Sequence, residues 1–156
     1  MDKNVDKVYR INEILKETID TIEKSKEEIM EIVRHARAEC IEIEEELKQI
    51  REKTDQVIKE VDQLEVKEKK ERAYLANVSK NFTIYTEEDI KIAYDRASGL
   101  RLRLVLKREE EKNLIEMRKS IETRLKSAIE VYKRSERIAK SVNVATGYLK
   151  GNLDER

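Results

Sequence analysis

With one histidine and one cysteine in 156 residues, few groups in this chain could do chemistry. His35, in the stretch RHARAE, stands five residues before Cys40. A metal site needs three or four convergent ligands, and neither residue has carboxylate or cysteine neighbours at such spacing. His35 therefore reads as a surface imidazole and Cys40 as a small buried thiol. The carboxylates Glu44, Glu45 and Glu46 could share acid and base roles only if burial raised one pKa, and a slender helical chain leaves such groups in water. Gly99, Gly147 and Gly151 are too few and scattered to cradle phosphates, and no G-x-x-x-x-G-K-[ST] occurs. No catalytic, cofactor-binding or metal-binding residue is assigned, and no enzyme is expected. Ser79, in NVSKNF, is a hydroxyl near a helix end that a modifying enzyme could reach. Phosphate there would add charge at the negative end of the helix and loosen it. The same NVS is a glycosylation sequon, which a cytosolic chain would not use.

The elements that would hold these groups are announced by composition. Charged residues make up 44% of the chain and aromatics 4%, with no proline or tryptophan, as in coiled coils. Thirty-four basic and thirty-four acidic residues cancel, and the signs are interspersed, as in EKSKEE and KREEEK. No single-sign field draws in nucleic acid, and KEKKER reads as a solvated helix face. The N-terminus lacks a signal-peptide core and no run of about 18 apolar residues occurs, so the chain is expected to be cytoplasmic and not membrane-bound.

Alternating steps of three and four residues from Val5 meet Val8, Asn12, Leu15, Ile19, Ile22, Lys26, Ile29, Val33, Ala36, Cys40, Ile43, Leu47 and Ile50. They continue through Thr54, Val57, Val61, Leu64, Glu68, Glu71, Leu75, Val78 and Phe82. A second ladder runs from Ile90 through Ala93, Ala97, Leu100, Leu104, Lys107, Glu111, Leu114, Arg118, Ile121, Leu125, Ala128 and Tyr132. It goes on through Ser135, Ala139, Val142, Thr146, Leu149 and Leu153. A sustained 3.5-residue repeat keeps one seam of a helix against a partner. LRLRLVL (100–106) alternates with period two, yet its flanks are helical and two of its leucines stand on the ladder, so it reads as helix with a wide apolar face.

Between the ladders lies NFTIYTEED (81–89). A continuous helix could absorb the spacing from Phe82 to Ala93 as a stutter. Against that stand the β-branched and aromatic run Thr83 to Thr86 and a helix-start signal. Thr86 can cap with Asp89 reaching back, Glu87 and Glu88 complement the positive helix end, and Tyr85 can staple onto Ile90. The expectation is all-α: a long antiparallel two-helix hairpin, a coiled coil, forming one domain over 1–156 with helix 4–81, turn 82–86 and helix 87–154. At ~1.5 Å per residue the two helices would be about 115 and 100 Å long. Ile11, Ile14, Ile32, Ile41, Ile58, Leu102, Leu106, Ile115, Ile129 and Ile138 flank the ladders and could pack a second hairpin, giving a homodimer.

Polar residues interrupt the seam at Asn12, Lys26, Glu68, Glu71, Lys107, Glu111 and Arg118, each at a cost in stability. They set register and pairing, or they weaken the seam so that the helices exchange between two packings.

VSKNFTIYTEEDIKIAYDRA (78–97), KREEEKNLIEMRKSIETRL (107–125) and IEVYKRSERIAKSVNVATGYLKGNL (129–153) resemble the N-terminal sensor region of the DegS-type histidine kinases of two-component systems. The resemblance is good from about Leu64 to Leu153 and mostly pattern before it. NF, a capped TEED start and then AYDRA are not dictated by heptads. It implies a cytoplasmic signal-sensing and dimerisation module whose kinase portion acts on a DegU-like response regulator. The family's phosphoacceptor histidine precedes an acidic residue, whereas His35 precedes Ala36 and lies far upstream. Neither that motif nor ATP-binding boxes occur here, so the kinase portion is absent from the chain. The second helix would pass a packing change onward past Leu149 and Leu153. Gly147 and Gly151, each lowering helix propensity by ~1 kcal/mol relative to alanine, suit a hinge there, or else simple fraying. The rival expectation is a structural or chaperone-like scaffold with no kinase linkage.

Overall fold

The structure is a computed structural model that describes residues 2–81 and 83–154, with side-chain surroundings for 3–81 and 83–151. Helix α1 covers Asp2–Lys80 and α2 covers Glu87–Asp154, and the two pack against each other as a hairpin. Long helices follow from the make-up of these segments: no proline, and abundant Glu, Lys, Arg and Leu, whose side chains lose little freedom in a helix.

Every buried residue among those described stands on one of the two ladders. Three of the buried positions are hydroxyls, and each is satisfied by its own helix. Thr54 donates to the Ile50 carbonyl at 2.7 Å, Ser135 to Val131 at 2.8 Å and Thr146 to Val142 at 2.8 Å. Such back-bonding lets a hydroxyl enter the seam without a partner across it.

The chain forms two compact units, Met1–Glu44 with Thr123–Arg156, and Glu45–Glu122. In the first, Ala36, Cys40, Ile43, Ala128 and Ala139 form the apolar core. Glu23 and Lys150 pair across the seam. That contact fixes the register: α2 ends at Asp154, four residues past Lys150 and level with Ile19. Val5 and Val8, farther toward the start of α1, are 65% and 59% exposed, although the ladder extends to them.

In the second unit Val57, Val61 and Leu104 form a buried cluster with Leu64 and Leu114 packed against it. Arg51–Glu122 and Glu65–Arg108 pair across the seam at 3.6 and 2.6 Å, fourteen residues apart on both helices in opposite senses. That is two whole heptads, the signature of an antiparallel pair held in constant register. Ile58 and Ile115 stand midway between those ion pairs and are half-buried within the single chain, as is Ile129 in the first unit. They cover part of their own hairpin, whereas Ile32, Leu102, Leu106 and Ile138 are exposed. The seam position Phe82, and with it the expected start of the turn, lies outside the residues described, and Leu153 lies in α2 outside those whose side-chain surroundings are described.

Candidate functional site

The corner is built by side chains that stop one helix and start the next. The Asn81 side-chain amide donates to the Asn77 carbonyl at 3.1 Å and to Asn77 Oδ1 at 2.9 Å. Its own carbonyl then accepts from the Ile84 and Tyr85 amides at 3.1 and 3.2 Å. At the start of α2 the Thr86 amide donates to Asp89 Oδ2 at 3.0 Å, and the Asp89 amide donates to Thr86 Oγ1 at 3.2 Å. Two amides that the helix cannot satisfy are thereby satisfied reciprocally. The Thr86 amide, and then its hydroxyl, hold the Asp89 carboxyl below its ordinary pKa. The Tyr85 ring meets Tyr74 edge-on, with centroids 6.4 Å apart and planes at 78°. Nothing in the periodicity marks Tyr74 for this role, since it stands beside the ladder and only the reversal of the chain brings Tyr85 onto it.

Ser79 is half-buried, one residue before the end of α1. Gly147 and Gly151 lie within α2, where an added Cβ would meet nothing within 4 Å. No internal packing demands glycine at either place.

Of the charges placed on the seam, Lys26 falls in the first unit and Glu68, Glu71, Lys107, Glu111 and Arg118 in the unit Glu45–Glu122, where Glu68, Lys107 and Arg118 are accommodated in three different ways. Glu68 is 8% exposed and pairs with Arg72 of its own helix at 3.5 Å. Lys107 crosses the seam: its Nζ is 2.7 Å from Glu60 Oε2 on α1 and 3.0 Å from Glu110 Oε2 on α2. The Glu60 hydrogen bond, then that of Glu110, raises the Lys107 pKa above its ordinary value. Glu60 is correspondingly lowered, first by Lys107 and then by Gln56. Arg118 is less well served. Its Nε is buried without a hydrogen bond, and the nearest carboxylate oxygen, Glu122 Oε1, is 3.7 Å away and also 3.6 Å from Arg51.

His35 is exposed, with Nε2 3.4 Å from Glu31. Cys40 is buried, and burial, with Glu44 and Glu39 nearby, pushes its thiol up in pKa. The Tyr132 hydroxyl donates to Glu136 at 2.9 Å, which raises its pKa as well. Among the described residues no group of three His, Cys, Asp or Glu side chains could hold a metal ion. No described helix is long and apolar enough to cross a membrane.

A family model described as "Sensor protein DegS" matches residues 12–155. The chain belongs to the DegS sensor family. It is 35% identical over 143 residues to the signal transduction histidine-protein kinase/phosphatase DegS of Brevibacillus brevis, and 35% identical over 145 residues to the protein of that name from Bacillus subtilis (strain 168). Those alignments cover 92% and 93% of this chain, but 37% and 38% of the two DegS relatives. No solved structure matches the chain significantly. The DegS match takes in the corner, the capped start of α2 and all the seam charges of the second unit.

Proposed function

We propose that this hairpin is the cytoplasmic signal-input and dimerisation module of a two-component histidine kinase, noncatalytic by itself. It biases the packing of its seam and hands that bias, through the end of α2, to a kinase portion that phosphorylates a DegU-like response regulator. The carrying observation is the DegS sensor match over residues 12–155. The charged seam supplies a means. Lys107 holds Glu60 on the facing helix and Glu110 on its own at once; release of either glutamate would give the seam a second arrangement, an element whose equilibrium a stimulus can shift. Ile32, Leu102 and Ile138, all about half exposed or more, offer apolar surface for a second copy. Gly147 and Gly151 soften α2 near its exit, and phosphate on Ser79 would loosen the end of α1.

The test joins this chain to the kinase portion and measures autophosphorylation and transfer to the regulator. Replacing Lys107 by methionine removes the bridge, and the autophosphorylation rate should move by about threefold or more, the size of a modest coupling energy. An unchanged rate, or a downstream sequence with no phosphoacceptor histidine and no ATP-binding boxes, would leave the scaffold reading instead. Sedimentation should give the mass of two chains.

A further inference from the structure

A groove of about 370 Å³ lies in the unit Glu45–Glu122, with Glu60, Gln63, Leu64 and Lys67 of α1 on one wall and Arg103, Leu106, Lys107 and Glu110 of α2 on the other. That is within the size range of small-ligand sites. At one end Glu60 and Glu110 face each other through Lys107, which bonds both. Seven residues along each helix, in opposite senses, the same antiparallel register brings Lys67 and Arg103 to the groove. Seven residues are about 10 Å of helix. Here the pair consists of two cations. Neither has an ion-pair or hydrogen-bond partner among the described residues.

The two ends of the groove therefore differ. The glutamate pair is bridged from within by Lys107, whereas the two cations at the other end have no carboxylate between them. Between them lie Leu64, half-buried, and Leu106, 62% exposed. Cations from two helices beside apolar side chains make a recognisable receptor: charge for a head group, Leu64 and Leu106 for a body. Arg103 adds a planar fork that matches carboxylate or phosphate oxygens.

We propose that this groove binds a small anion carrying an apolar body, a carboxylate or a phosphate monoester, with its head between Lys67 and Arg103 and its body on Leu64 and Leu106. Such a ligand ties α1 to α2 and binds only the folded hairpin, so it stabilises it. The proposal stands without the kinase reading, because binding is measured on this chain alone.

The experiment is a thermal melt and calorimetric titration with phenyl phosphate and 4-phenylbutyrate, against phenol and inorganic phosphate. Both amphipathic anions should raise Tm saturably, as a ligand of the folded state does. Phenol and inorganic phosphate at equal concentration should give no saturable shift. Arg103→Gln should weaken binding by roughly tenfold, the worth of one charge-assisted hydrogen bond at a half-open site. Lys67→Glu should raise Tm without ligand, by pairing with Arg103, and abolish the ligand shift. Which of the two anions binds more tightly distinguishes carboxylate from phosphate as the source. Absence of binding by both, equal shifts from phenol or inorganic phosphate, or a shift unchanged in Lys67→Glu would overturn the proposal.

Discussion

Lys107 Nζ reaches across the seam to within 2.7 Å of Glu60 Oε2 while remaining 3.0 Å from Glu110 of its own helix. A cation at a position that periodicity reserves for an apolar residue is thus the link that bridges two glutamates on opposite helices.

This link predicts a pH window. Glu60 is lowered below its ordinary 4.5, so its contribution is present above that value and is lost as pH falls through the folded pKa. Lys107 is raised above 10.5, so its contribution is full below that value and is lost as pH rises through the folded pKa. Thermal melts from pH 3 to 12 should show Lys107→Met narrowing the gap between neutral and extreme pH. A variant profile parallel to the parent at both ends would refute the link.

The corner depends on a reciprocal cap. Thr86→Ala should cost about 1 kcal/mol in urea unfolding, as loss of an N-cap does. The lowered Asp89 pKa implies a contribution that is complete above its ordinary 3.8 and lost as pH falls below it. Asp89→Asn should flatten the acid limb of the helicity curve followed by circular dichroism.

Leu104 and Leu102 are the same residue type two positions apart in LRLRLVL, yet Leu104 is 5% exposed and Leu102 61%. Leu104→Ala should destabilise by about 2–3 kcal/mol, because it opens the cluster with Val57 and Val61. Leu102→Ala should change stability by less than about 0.5 kcal/mol at concentrations where the chain is monomeric. Chemical denaturation of both variants checks the contrast, and equal costs would mean that the seam is misassigned.

Arg118 buries its Nε without a hydrogen bond, with Glu122 too distant at 3.7 Å to satisfy it. An unsatisfied polar atom in a seam costs more than an apolar side chain of similar volume. Arg118→Met should therefore raise stability by about 1 kcal/mol in the same assay. A loss of that size would show that the arginine is held better than its geometry indicates.

Much of the fold was legible because a heptad repeat is local. Spacing alone tells which side of a helix is apolar, and every buried residue described here, from Ala36 to Thr146, stands on a ladder that spacing picks out. The cap was equally local, since Thr86 and Asp89 need only be three residues apart. The register between helices is not local: it depends on where the corner releases α2 against α1. Only the tertiary structure decided that Glu60 meets Lys107 and that Tyr85 lands on Tyr74. It alone gathered Lys67 and Arg103 at one groove. A helix carries its own period in its sequence, but the side chains it will face belong to a segment many residues away, and a shift of one heptad would exchange every one of those pairs.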